Sequence, residues 1–299
     1  METRLVTAFF HNNDEGVPSH PFYLHNVIAR YHRYQYSLVQ LSKLGLPITL
    51  YISSNVKEII NELINEYKIT NVNVIVKDLI DFNCSSKTIP IKEKHRDKFQ
   101  FYVELGWSKM EMLRDIMTEE EGYTYWIDCG LSHRGLWPNK YAKNPDKLTG
   151  MSHNTENYWF DKVFNPNFFK NINKWVGDKL INIKNRQFFH PQDQINRIFG
   201  YAGGVDGQTI GGILGGHNSK IKDFLNEFDN RADQCIKQEY LLNHEGILTH
   251  MATSKPENYK SWLFTTWYHE DTGGMDWITP EWLSTQRSFY HFLKEIGHE

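Results

Sequence analysis

Apolar residues recur along this chain in two rhythms, and the alternation between them lays out its N-terminal half. "RLVTAFF" (residues 4–10) is a continuous β-branched and aromatic run that breaks into the turn formers of "HNNDEGVPSHP". It predicts a buried first strand with a long loop at its C-terminal end. From Phe22 to Leu44 the spacing becomes helical, and Gly45 and Pro47 close it. "ITLYI" predicts strand two, "NVKEIINELINEY" an amphipathic helix with Asn55 as its N-cap, and "NVNVIV" strand three. After an irregular stretch around "NCSSKTIPIKEKHRD", a helix about "WSKMEMLRDIM" leads to "YTYWID" as strand four. Strands alternating with helices of this length imply a mostly parallel sheet with helices on both faces, an α/β chain. In such sheets the ligand crevice lies beyond the carboxyl ends of the strands, and Asp128 stands at one of those ends.

The second half is less regular. "TIGGILGG" (residues 209–216) joins β-branched residues to paired glycines. "SKIKDFLNEFDNRADQCIKQEYLLNHEG" predicts one or two helices ending at Gly246, "ILTHMA" a further strand, and the tail a terminal helix after Pro280. The middle, from about Pro138 to Gln208, is rich in Asn, Lys and aromatic residues without clean periodicity.

Composition narrows the classes. With 299 residues, 40% of them hydrophobic, the chain can build a full core, and one domain with elaborations is expected. Its 33 basic and 36 acidic residues leave a formal net charge of -3, so nothing supports a nucleic-acid-binding surface. Cys84, Cys129 and Cys235 are odd in number, far apart and without zinc-pair spacing, which suggests free thiols in a reducing compartment. No uninterrupted apolar run approaches the roughly 18 residues of a membrane span, and the N-terminus lacks a secretory apolar region. A cytoplasmic protein is expected, with peripheral membrane contact left open.

Four groups of residues could carry chemistry. Asp128 either caps its turn through Asx geometry or binds a hard cation or a ribose. Lys109, expected at the start of the helix before strand four, could meet a phosphate or a base. The glycines at 211, 212, 215 and 216 either admit a ligand to the backbone or serve tight packing. Glu239 falls on a helical segment, where a solvated carboxylate is the ordinary outcome. His25, Arg30, His32 and Arg33 read as a polar helix face, and Trp267, Tyr268 and Trp282 as core or sugar-stacking aromatics.

Taken in order, "LVTAFF", "WSKMEMLRDIM", "YWIDCGLSH" and "GGILGG…KQEYLL…GILTH" resemble the HtrL/WlaTC-type family of bacterial glycosyltransferases, associated with lipopolysaccharide and lipooligosaccharide loci. That family is similar in turn to GT-A glycosyltransferases. The resemblance implies a single Rossmann-like GT-A domain over residues 1–299, with a nucleotide-binding half (1–135) and an acceptor-side half (136–299) ending in a C-terminal helix. It implies a hexosyltransferase-like activity that moves a sugar from a nucleotide-sugar donor, a uridine diphosphate sugar in the first instance, to a glycan or glycolipid acceptor.

Carried over by residue, Asp128 takes the first position of an Asp-x-Asp motif that holds Mn²⁺ or Mg²⁺. Gly130 stands where the second Asp belongs, so a further metal ligand would have to come from His133, His250, His269 or Asp271. The resemblance also places Thr7, Ala8 and Phe9 against the base, Lys109 on the nucleotide, Gly211 and Gly212 beside the donor, and Glu239 as the catalytic carboxylate near the reacting sugar. Two rival readings persist. A sugar-nucleotide pyrophosphorylase would want a glycine-rich basic loop after strand one, where "FHNNDEGVPSHP" has one glycine and no Lys or Arg. The second, a non-catalytic carbohydrate- or nucleotide-sugar-binding protein on a degenerate scaffold, is kept alive by Gly130.

Overall fold

The computed structural model describes residues 1–10, 35, 38–89, 100–129, 165–185, 192–200, 207–240, 242–264, 292 and 294–298. The strands are β1 (Glu2–Phe9), β2 (Ile48–Ile52), β3 (Val72–Val76), β4 (Gly122–Ile127), β5 (Leu180–Asn185), β6 (Gln208–Thr209), β7 (Ile213–His217) and β8 (Tyr259–Phe264). The helices are α1 (Lys57–Glu66), α2 (Asn83–Lys87), α3 (Gln100–Ile116), α4 (Asn167–Val176), α5 (Gln192–Phe199), α6 (Asn218–Lys237) and α7 (His244–Ser254).

The described strands form one eight-stranded sheet in the order β3-β2-β1-β4-β7-β5-β6, with β8 added on β5. The pairs β2–β3, β1–β4 and β5–β8 are parallel. The pairs β4–β7, β5–β7 and β5–β6 are antiparallel, so the fold is mixed α/β. Every residue of β4 is buried, which explains why "GYTYWI" reads as an unbroken apolar run and not as an alternation. The four N-terminal strands coincide with the runs expected from the sequence.

Two compact units make up the chain: Met1–Val6 with Lys77–Ile127 and Asn173–Trp267, and Thr7–Val76 with Asp128–Ile172 and Tyr268–Glu299. In the first, α6 buries Ile221, Phe224, Leu225, Phe228 and Cys235 along one face. Trp107 of α3 meets Phe228 edge to face at 6.4 Å between centroids, and its indole N–H donates to the Leu242 carbonyl at 3.2 Å. Asn173 ties α4 to the sheet: its amide donates to the Thr3 hydroxyl at 2.8 Å and its oxygen accepts from the Tyr125 hydroxyl at 2.9 Å. In the second unit, Phe9, Leu38, Leu50, Ile52, Val56, Ile60 and Cys129 form one buried cluster, against which Leu63 and Ile64 of α1 pack.

The paired glycines of "ILGGH" answer to strand packing. A Cβ on Gly215 would overlap the Thr124 carbonyl of β4, and one on Gly216 the Lys179 carbonyl before β5. Here β7 lies against both neighbours more closely than a side chain allows.

Several local expectations are corrected. Asn55 is not the N-cap of α1: a 3-10 turn over Ser54–Val56 precedes it, and Asn55 Oδ1 instead accepts from the Ser53 hydroxyl at 2.5 Å. The stretch taken as irregular opens with α2, whose first amides, Asn83 and Cys84, donate to the two carboxylate oxygens of Glu111 at 2.9 and 2.6 Å. "ILTHMA" is not a strand but the body of α7, and Gly246 lies inside that helix instead of ending one. The middle of the chain contributes α4, β5 and α5. Of the terminal helix expected after Pro280, only residues 292 and 294–298 are described.

Candidate functional site

Asp128 follows the last residue of β4 and is half-buried, in the second unit with Thr7, Ala8 and Phe9. The parallel register of β1 and β4 runs from Glu2 opposite Gly122 to Val6 opposite Trp126, and Asp128 lies two residues beyond that last pair. Thr7, Phe9 and Cys129 are buried, and Phe9 and Cys129 belong to the second unit's core cluster. Ala8 and Asp128 are both half-buried. The carboxylate therefore sits where two parallel strands end together and the strand order turns from β1 to β2 on one side and β4 on the other, the usual place for a ligand crevice in an open α/β sheet.

The thiol beside it is inert. Burial, reinforced by the Asp128 charge, pushes the Cys129 thiol far above its ordinary range, and the Thr7 hydroxyl opposes this only in part. A protonated thiol is a poor partner for a hard divalent ion. Among the described residues no three His, Cys, Asp or Glu side chains gather to hold a metal. His133, His269, Asp271 and Gly130 lie outside the described residues.

The first unit holds Lys109, Gly211, Gly212, Glu239 and His250. Lys109 is not at the start of its helix but in the middle of α3, only 6% exposed. Its ammonium donates to the Gly211 carbonyl at 3.1 Å, lies 3.4 Å from His244 Nε2 and stands 5.1 Å above the Trp126 ring. The His244 imidazole fills the space between Gly106 and Gly211, where a Cβ on either glycine would overlap it. On the next residue, Glu245 Oε1 accepts from the Gly211 amide at 2.9 Å and Oε2 from the Gln208 side chain at 2.7 Å. Lys109 and Glu245 thus hold the buried Gly211 by its carbonyl and its amide, with His244 packed against it and Gln208 fixing the Glu245 carboxylate. Replacing Glu245 with Ala should cost about 2 kcal/mol by orphaning the Gly211 amide. Urea denaturation of the variant would measure it, and a loss below about 0.5 kcal/mol would show that water replaces the carboxylate.

His244 and Glu245 were not singled out from the sequence. The available signal was "NHEG": Asn243 accepts from the Gly246 amide at 2.9 Å as an N-cap, with an acidic residue in the first turn, so the motif starts a helix and does not end one.

Glu239 is not on a helix. It lies two residues beyond α6, exposed, at φ 51°, with its amide donating to the Ile236 carbonyl at 2.9 Å. That is a helix C-terminal turn in a left-handed conformation, which a glutamate adopts at some cost.

His250 is buried inside α7. It stacks on Phe199 at 4.4 Å and has Nε2 3.2 Å from the Ser254 hydroxyl. Burial, then the Arg231 charge, lower its pKa to about 4, against a smaller upward pull from Glu227. Because the folded-state value lies below the ordinary 6.5, the unfolded chain takes up the proton first on acidification. Stability is full above about pH 6.5 and falls as pH drops toward 4. With allowance for screening, the loss should be about 1–2 kcal/mol. Chemical denaturation of wild type and His250→Gln at pH 7.5 and 4.5 should show the smaller pH-dependent loss in the variant, and equal losses would locate the titrating group elsewhere.

No family model matches the chain, and no curated protein sequence matches it. Among solved structures, mouse xyloside xylosyltransferase 1 in its apo form is similar over 88% of this chain and 85% of that one, at 12% identity and a TM-score of 0.46.

Proposed function

We propose that this chain is a nucleotide-sugar-dependent glycosyltransferase of GT-A type, which moves a sugar from a nucleoside diphosphate donor, first among them a uridine diphosphate sugar, to a glycan or glycolipid acceptor. The observation that carries the reading is the half-buried carboxylate of Asp128 at the shared carboxyl end of β4 and β1. A carboxylate there accepts hydrogen bonds from ribose or sugar hydroxyls. Transfer breaks the bond between the anomeric carbon and the diphosphate, with negative charge growing on the departing phosphate and oxocarbenium character on the sugar. Orienting the donor hydroxyls against that separation of charge is a task a rigid strand-end carboxylate suits. The family resemblance also assigns Lys109 to the nucleotide and Glu239 to the donor sugar, two proposals separate from the one on Asp128.

Nucleotide binding tests it directly. Thermal unfolding of wild type and Asp128→Ala would be followed with uridine, guanosine, cytidine and adenosine diphosphates, each with and without Mn²⁺. A ligand at 100 times its dissociation constant adds about 2.7 kcal/mol. One nucleotide is expected to stabilise the wild type and to lose its effect in Asp128→Ala, and the Mn²⁺ arm reports whether a metal takes part. Stabilisation of neither protein by any nucleotide would overturn the reading.

A further inference from the structure

We propose that the first unit carries a binding cleft for an acidic saccharide along the exposed face of α6, opposite the turn that leads into β8. This inference stands whether or not the chain is a transferase.

The cleft has a volume of about 680 Å³, within the range of small-ligand sites. Its long wall is a stripe of α6: Asp223, Glu227, Asn230, Arg231, Gln234 and Lys237 follow one another at helical spacing on one face. The stripe spans fourteen residue steps, about 21 Å, the length of a short oligosaccharide and not of a single ring. The opposite wall is Lys255, Asn258 and Tyr259, with Leu180 at its foot.

The chemistry of the lining selects the ligand class. Side-chain amides at 226, 230, 234 and 258 each offer both donors and acceptors, and they alternate with donor-only cations and acceptor-only carboxylates. A ligand matching such a wall must donate and accept at closely spaced points, as the hydroxyls of a sugar do. Gln234 lines the cleft, and its Oε1 is buried and takes no hydrogen bond among the described residues, so a turn of the side-chain amide toward the cleft is needed to bring this acceptor to a ligand hydroxyl.

The preference for an anion comes from the fixed guanidinium. Arg231 stands 5.3 Å from the Phe199 ring centroid on one side and 3.5 Å from Glu227 on the other. Glu227 is itself bound by Lys255 at 2.6 Å. Glu227 thus faces two held cations, and Asp233, another of the cleft's acids, is 3.6 Å from Lys87. The lining carries four cations, Lys220, Arg231, Lys237 and Lys255, against three carboxylates, Asp223, Glu227 and Asp233, which leaves one positive charge in excess. Arg231 is pre-oriented and partly shielded, as recognition of a single carboxylate requires.

Equilibrium titration calorimetry of the full chain is the test, with a hexuronate tetrasaccharide, the neutral tetrasaccharide of the same linkage and an acidic tetrapeptide as probes. The acidic saccharide should bind at least about tenfold more tightly than either of the others. Asn230→Asp puts a negative charge on an exposed position of the wall. It should weaken the acidic saccharide about tenfold, leave the neutral one within about twofold, and leave the melting temperature unchanged. Gln234→Leu should weaken both saccharides alike. Equal binding of acidic and neutral saccharides, equal binding of the peptide, no saturable binding, or no effect of Asn230→Asp would each overturn the proposal. Because the readout needs neither donor nor turnover, its failure is separable from failure of the transferase reading.

Discussion

Asp128→Asn is expected to lower sugar transfer, or hydrolysis of the donor where the acceptor is lacking, by about 10²–10³-fold, which is about 3–4 kcal/mol of transition-state stabilisation. Asparagine keeps the shape of aspartate and its ability to cap the following turn, so the substitution separates chemistry from architecture. Were Asp128 only a turn cap, Asp128→Ala would cost about 1 kcal/mol of stability and Asp128→Asn would recover it, with turnover following the fraction folded. The placement argues for the chemical role. Asp128 is half-buried and outside the core cluster that holds Phe9 and Cys129, so removing its charge leaves that core untouched. Steady-state kinetics with melting temperatures on the same preparations decide between the two. Activity of Asp128→Asn within about threefold of wild type would remove Asp128 from the reaction.

Gly215→Ala should be the most damaging single-atom addition to the fold, at 3 kcal/mol or more by the usual scale of backbone strain added to steric overlap. Gly215 has φ 113°, outside what an L side chain readily adopts, and a Cβ there would overlap the Thr124 carbonyl of β4. Relief would require β7 to move away from β4, and β7 is held along Tyr123 to Ile127 by five antiparallel pairings. Gly45 supplies the contrast. It has φ 68° with open space where its Cβ would go, so Gly45→Ala should cost only about 1 kcal/mol, the left-handed penalty alone. Urea denaturation of both variants tests the comparison. Similar losses would mean that β7 has room to shift and that packing does not dictate the glycine.

Much of the N-terminal half was legible because its signals are local. β1 to β4 announce themselves as short β-branched and aromatic runs closed by turn formers, and α1 by its periodicity. Asp128 was legible for the same reason: a carboxylate ending a run whose residues are all buried is visible without knowing the partner strands. α7 was misread because Ile247, Leu248, Thr249 and Met251 suit a strand as well as a helix. What settles it is the Asn243 cap and burial of every residue from Gly246 to Ala252, a burial that tertiary packing supplies. β5 was missed because "LINIKN" is short and half polar, and its partners β7 and β8 lie far along the chain.

By itself, then, the sequence determined the α/β class, the first four strands and the carboxylate at the end of the fourth, since periodicity, caps and turn residues act over a few positions. Tertiary structure alone decided that β7 runs antiparallel to β4 and needs its glycines bare. It also decided that Lys109 meets His244 across 135 residues and that Glu245, not Glu239, holds the Gly211 amide. Strand direction, close approach and the pairing of buried polar groups are chosen by which distant surfaces fit and which buried donors and acceptors must be satisfied, and no local pattern encodes that choice.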